Sequence, residues 1–143
     1  MTPTSEQVAA HTALFLDIMD QDELAIVRRA YAKHVLANAD IDDARVGAAF
    51  AAVRREQFLG PGPWPMLRWP HRYVPTPTDD PVYLYQDALV GIVPGRGLNN
   101  GQPWLHAMLI AAAASRPGQH VVHIGAGVGY YTCLLYTSDA ADE

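Results

Sequence analysis

The stretch His120-Val121-Val122-His123-Ile124-Gly125-Ala126-Gly127-Val128-Gly129-Tyr130-Tyr131-Thr132 decides how the rest of this chain is read. Val121, Val122 and Ile124 are apolar and β-branched, the composition of a strand covered on both faces. Three glycines at alternate positions then allow a sharp turn and bring backbone N–H groups close to a ligand. A helix opening at Tyr130 would aim its positive end at the same point. Strand, glycine turn and helix together predict the first corner of a doubly wound α/β fold, where such folds bind nucleotides.

The glycine spacing narrows the ligand. A dinucleotide fingerprint reads G-x-G-x-x-G, but Tyr130 stands where its last glycine belongs. A phosphate loop needs a following Gly-Lys-Ser/Thr, which the chain lacks. The pattern G-x-G-x-G resembles the first motif of S-adenosylmethionine-dependent methyltransferases. That cofactor has no pyrophosphate, so the loop need only pass beneath an amino-acid moiety and a ribose. A glycine turn that binds nothing would give the same letters.

Composition sets outer limits. A chain of 143 residues, 50% of them apolar, has room for one domain with a core of its own. A net charge of −5 and the lack of a basic run argue against a nucleic-acid partner. No apolar run reaches the ~20 residues of a membrane span, and the start lacks a secretory layout, so a cytoplasmic protein is expected. The single cysteine cannot form an internal disulfide, and no metal site is expected.

Four segments are expected. Residues 1–59 read as a helical leader. Thr4-Ser5-Glu6-Gln7 has capping-box form, with Val8, Leu14, Phe15 and Ile18 on one side of a first helix. A second helix start is expected at Asp20–Glu23, with Leu24, Val27, Tyr31 and Val35 recurring as far as Ala39. Asp40–Asp43 caps a third helix carrying Val46, Phe50 and Val53, closed by Arg54, Arg55 and Glu56. Residues 60–97 form a proline- and aromatic-rich connection, in which Trp64, Trp69 and Tyr73 either line a cleft or pin the loop. Within it, Val82–Val93 reads as a strand ended by the turn Pro94–Gly97. Residues 98–132 begin the nucleotide-binding unit with a helix from Pro103, its apolar stripe Leu105, Met108, Leu109 and Ala112. Residues 133–143 do not continue the Leu/Ile spacing of a buried helix, and they resemble a translated sequencing adapter. Native protein is therefore expected to end near Thr132.

Three linked stretches resemble the amino-terminal half of protein-L-isoaspartate O-methyltransferases: Arg29-Ala30-Tyr31-Ala32 through Leu59, Asn99-Asn100-Gly101-Gln102-Pro103, and Val121 to Thr132. In that family a segment T-I-S-Q-P or T-I-S-A-P-H-M-H precedes a helix, and a strand with G-x-G-x-G-Y follows it. Gln102-Pro103 matches Q-P, and His106 falls on the second histidine of P-H-M-H.

The resemblance implies a truncated Rossmann-like methyltransferase fold with an amino-terminal helical subdomain, S-adenosyl-L-methionine as cofactor, and a protein or peptide carboxylate as acceptor. Gly125, Ala126, Gly127 and Gly129, with His123, would cradle the cofactor. Asn99, Gln102 and His106 would contact its reactive end, and Asn100 and Gly101 would face the reacting carboxylate. Two departures stand out. Gly101 replaces the family's serine or threonine hydroxyl, and His123 replaces the acid two places before the first glycine. A histidine there also reads as a strand-end ring bonded to the loop, and His106 as a helix residue packed on the aromatic connection. A relative with another acceptor, or a non-catalytic cofactor-binding module, stays open beside the carboxyl methyltransferase. With its sheet incomplete, the chain is expected to expose apolar surface and to be inactive alone.

Overall fold

In the computed structural model, residues 4–140 are described, without the side chains of Val8, residues 15–22 and residues 139–140. Helix α1 (Ser5–Ala39) begins at the expected capping box: Gln7 N donates to Thr4 Oγ1, and the Gln7 side chain accepts from Thr4 N. It is one helix rather than two. No glycine or proline falls between Ser5 and Ala39, so Asp20–Glu23 has nothing with which to break it. Leu14 is exposed, and the other three residues of the expected first stripe (Val8, Phe15, Ile18) lie outside the described side chains. Helix α2 (Ala44–Ala52) starts where expected, Asp43 Oδ1 accepting from the backbone N of Arg45 and Val46. Such a cap is worth about 1 kcal/mol.

Between the helices lie two small antiparallel ladders. Strands β1 (Pro65–Arg68) and β2 (Arg72–Pro75) form a hairpin within the stretch expected only to be extended. Its prolines sit at the ends, where a missing N–H costs least. Strand β3 (Gly91–Val93) pairs with β4 (Leu98–Asn99) across the turn at Pro94–Arg96, and a Met66–Val90 bridge joins the two ladders.

Only the end of the expected strand Val82–Val93 forms one, as β3; its beginning is a single 3-10 turn (Pro81–Leu84) followed by irregular chain. Its carbonyls go elsewhere. The guanidinium of Arg55, a residue expected to close the third helix, is fully buried and donates to Leu84 O (2.6 Å), Gln86 O (3.0 Å) and Ala88 O (2.9 Å).

Helix α3 (Pro103–Ala113) has Pro103 at its first position, as expected, but packs by the opposite face. Ala107 is buried, with Trp104, Ile110 and Ala111 partly so, while Leu105, Met108 and Leu109 are exposed. Ala107 and Ala111 leave room on the inner face beside Trp104 and Ile110; the Leu/Met stripe is left to solvent. Helix α4 (Tyr130–Ala140) runs past Thr132, contrary to expectation. Tyr130, Leu134 and Ser138 recur at four-residue steps on a buried face, which gives it a side to pack. The main core unites Tyr31, Val35, Val46, Phe50, Ala107, Tyr130 and Leu134 from all four helices; Trp64, Met66, Leu84 and Val90 make a smaller one beneath the ladders.

Val121–Ile124 is not a strand. Val122 is 83% and Ile124 91% exposed, and among the described residues no strand lies beside them. An extended apolar run without a partner ladder has no sheet to join. The fold is thus mixed helix and small antiparallel sheet, with no parallel strand pair among the described residues. Among those residues no helix is long and apolar enough to cross a membrane.

Candidate functional site

The expected substrate-side segment, Asn99–Gln102, is fixed from three directions. Asn100 N donates to Val90 O and Asn100 Oδ1 accepts from Val90 N, both at 2.9 Å, so the buried side chain extends the ladder. Its Nδ2 has no hydrogen-bond partner among the described residues, an unmet donor at a site expected to receive a carboxylate. Asn99 turns its amide to Tyr73 Oη (3.2 Å) and Gly97 O (3.3 Å), while its Oδ1 accepts from Gly101 N (3.0 Å). Gln102 Nε2 donates to Asp87 O (2.8 Å) and Asp87 Oδ1 (3.0 Å).

Nothing in the sequence marks Asp87, yet it organises this corner. Gln102 is the N-cap of α3 but provides no side-chain cap; Asp87 Oδ1 does so instead, accepting from Trp104 N at 3.0 Å and so meeting one of the helix's orphan donors. Its Oδ2 accepts from Asn38 of α1 at 2.7 Å. A carboxylate at the positive end of α3 is favourably placed. Arg55 holds the chain on both sides of Asp87, so the helix start and Gln102 depend on a residue far earlier in the chain.

Gly101, His106 and Tyr131 come together directly. Tyr131 Oη donates to Gly101 O (3.0 Å), and the His106 ring stacks on Tyr131 with centroids 3.7 Å apart and planes within 6°. Gly101 has φ +85°, and a Cβ there would collide with His106 Nε2. Glycine alone takes that backbone angle freely. The departure from a hydroxyl residue therefore has a local cause: the histidine ring fills the space a side chain would need.

His123 Nδ1 lies 2.8 Å from Thr132 Oγ1, a bond to the opening of α4. His106, His123, Gly125 and Tyr131 share one cleft of about 390 Å³ with the apolar side chains of α3 and Val121–Ile124. Ala126, Gly127 and Gly129 do not line it, nor do the side chains of Asn99, Asn100 and Gln102. Gly125, Gly127 and Gly129 all have positive φ. A Cβ at Gly125 or Gly129 would meet nothing within 4 Å, and one at Gly127 only Ile92 Cδ1 at 3.6 Å. The turn is thus open rather than filled by its own neighbours.

Of the connection's aromatics, Trp64 pins the loop: it is buried, and its Nε1 donates to Gly60 O at 2.9 Å. Tyr73 reaches Asn99, and Trp69 stands free in solvent.

Burial first, then the nearby His123, pushes the His106 pKa below its ordinary value of 6.5, because both disfavour the charged ring. The folded chain therefore holds a neutral ring, while the unfolded chain takes up a proton sooner as pH falls. The stability His106 contributes is full above about pH 6.5 and is lost as pH drops through its lowered folded value. Melting curves at about pH 7.5 and 5.5 should show a smaller acid loss for His106→Gln than for the parent. An unchanged loss would place the acid sensitivity elsewhere.

Known proteins resemble parts of this chain. Over 108 residues, 76% of its length, the chain is 32% identical to protein-L-isoaspartate O-methyltransferase 2 of Anaeromyxobacter sp. (37% of that protein). It is 37% identical over 71 residues, 49% of its length, to the Pelotomaculum thermopropionicum protein-L-isoaspartate O-methyltransferase (29% of that protein). The enzyme of that name from Methylorubrum populi is 44% identical over 46 residues, 32% of the chain and 22% of the relative. The chain is a relative of the protein-L-isoaspartate O-methyltransferases. It spans between about a fifth and somewhat over a third of the curated relatives it matches. No family model and no solved structure matches it.

Proposed function

We propose that the chain is the amino-terminal part of a cytoplasmic, S-adenosylmethionine-dependent carboxyl methyltransferase of the isoaspartyl type, built on a truncated Rossmann-like fold. The observation that carries this reading is the contact of two motifs far apart in sequence: the Asn99–Gln102 segment meets the helix after the glycine turn through Gly101 O and Tyr131 Oη. In the proposed complex, Gly125, Ala126 and Gly127 hold the cofactor through backbone N–H groups, Gly129 closes the turn beneath it with its own N–H bonded to Ala126 O, and His123 and His106 stand at the side. When bound, S-adenosylmethionine supplies an electrophilic methyl group. A carboxylate is already nucleophilic, so the residues here need only orient it and exclude water. In this reading Asn100 and Gly101 face the acceptor through their backbone, because the Asn100 side chain is buried and lies outside the cleft. The exposed apolar side of α3 and Val121–Ile124 suits a sheet that packs over it in the complete enzyme, so the 143-residue chain alone is inactive in this reading.

A second reading has a specific observation behind it. Residue 101 cannot present a hydroxyl while His106 stands where its side chain would go, which favours a related methyltransferase with another acceptor. A non-catalytic cofactor-binding module is the remaining alternative.

A chimera joining residues 1–132 to the carboxyl-terminal part of the Anaeromyxobacter relative separates these. It is expected to bind S-adenosylhomocysteine by calorimetry and to methylate an isoaspartyl peptide; the 143-residue chain is expected to show no turnover. Gly127→Arg should weaken cofactor binding about 100-fold or more. Its positive φ disfavours any side chain there, and in the proposed complex a long one would take the cofactor's place. A folded chimera that fails to bind, or binds regardless of Gly127→Arg, overturns the reading. Binding with methylation of a different acceptor selects the second reading, and binding without any turnover selects the third.

A further inference from the structure

The tip of the β1–β2 hairpin has no role in the site described so far. Arg68, Trp69, Pro70, His71 and Arg72 are all exposed, and Trp69 is 85% so. A tryptophan this bare is unusual in a folded chain, and tryptophan and arginine are both among the residues enriched where proteins bind one another. The turn is fixed: His71 N donates to Arg68 O at 2.8 Å, and the His71 ring lies 5.9 Å from the indole. Two arginines flank the indole, so a chain of net charge −5 carries a local cationic tip.

Its position connects it to the methyl-transfer segment. Arg68 Nη1 donates to Gln86 Oε1 at 3.1 Å, next to the Asp87 that holds Gln102. On the other strand, Tyr73, adjacent to Arg72, reaches Asn99. An extended polypeptide lying across Asn99–Gln102 would advance about 3.3 Å per residue and meet the tip within a few residues.

Resting on the reading that the acceptor is a polypeptide, we infer that the Arg68–Arg72 tip is a docking point for acidic residues flanking the methylated carboxylate. The indole provides apolar contact, and the two guanidinium groups pair with side-chain carboxylates. A membrane surface fits less well, because two cations and one indole on an acidic chain give too little attraction to anionic lipid.

The test uses the 143-residue chain immobilised sparsely on a biosensor, so that molecules do not associate. An acetylated hexaglutamate peptide should bind at low salt, and about 0.5 M salt should suppress the binding. Hexalysine should not bind. Arg68→Gln with Arg72→Gln should weaken binding about tenfold, and Trp69→Ala to a similar degree. Circular dichroism should stay unchanged, because all three side chains lie in solvent. Absence of peptide binding, equal binding by the variants, or preference for phosphatidylserine vesicles would overturn the inference. No cofactor or turnover is read, so peptide binding beside a chimera that fails to methylate would reject the methyltransferase reading and leave the docking point standing.

Discussion

Arg55→Met should cost the fold about 3–5 kcal/mol, seen as an earlier urea or thermal unfolding transition. A methionine fills much of the volume but takes the guanidinium donor from all three carbonyls, leaving Leu84 O and Gln86 O only the tight-turn bonds from Gln86 N and Ala88 N. Set against a typical stability of about 5–15 kcal/mol, that is a large fraction. The guanidinium also lies 5.9 Å from the Tyr31 ring centroid and 5.8 Å from that of Tyr130. Those are favourable contacts for a cation, and methionine would lose them. Arg55→Lys should recover only part of the loss, because one ammonium cannot span three carbonyls with the reach of a planar fork. The damage should also be local. The 84–88 segment carries Asp87, whose carboxylate accepts from Trp104 N, whereas Val46 is capped independently by Asp43. Amide protection at Trp104 should therefore fall before protection at Val46. A loss below about 1 kcal/mol, or equal loss of protection at both amides, would mean that Arg55 does not hold this loop.

Arg55 also marks the limit of what the sequence discloses. The capping box at Thr4, the Asp43 cap, the Pro94–Gly97 turn and the start of α3 at Pro103 are legible because each is a local device of three or four residues. Side chains whose partners are distant are not. Arg55 reads as the polar end of a helix because its three acceptors lie 29 to 33 residues on. Once those carbonyls are taken, Val82–Leu89 cannot form the strand its composition suggests. The stripe on α3 misleads for a related reason: periodicity gives a face, and two candidate faces compete here. The face with Trp104, Ala107 and Ala111 packs on the core, while the Leu/Met face is exposed. Val121–Ile124 has strand composition but no partner ladder among the described residues. The motif segment was legible as a motif, but not the way its side chains are engaged: Asn99 and Gln102 face Tyr73 and Asp87, and Gly101 carries its meaning through its backbone.

Gly101→Ser should be the most damaging conservative change in the candidate site, at about 2–4 kcal/mol. Two effects add. A backbone at φ +85° is strained for any residue with a Cβ, and that Cβ collides with His106 Nε2. They can be separated. His106→Ala removes the collision but not the backbone strain, so the double variant should be more stable than the sum of the single losses predicts, by about 1 kcal/mol or more. His106→Ala alone should be destabilising, because it strips the stacked face of Tyr131, whose hydroxyl ties α4 to Gly101 O. Strict additivity in the cycle would show that the ring is not what excludes a side chain at 101. Coupling has a consequence for chemistry. A hydroxyl cannot be restored at 101 without giving up the histidine, so glycine and His106 form a matched pair. In the proposed reading, any group that orients the acceptor must then come from the backbone of this segment or the neutral ring of His106, since the Asn100 side chain is buried outside the cleft. In the chimera, Gly101→Ser with His106→Ala should shift acceptor preference toward isoaspartyl peptide if the pair sets specificity, with cofactor affinity as the control. A preference that does not move would return the choice of acceptor to the rest of the cleft.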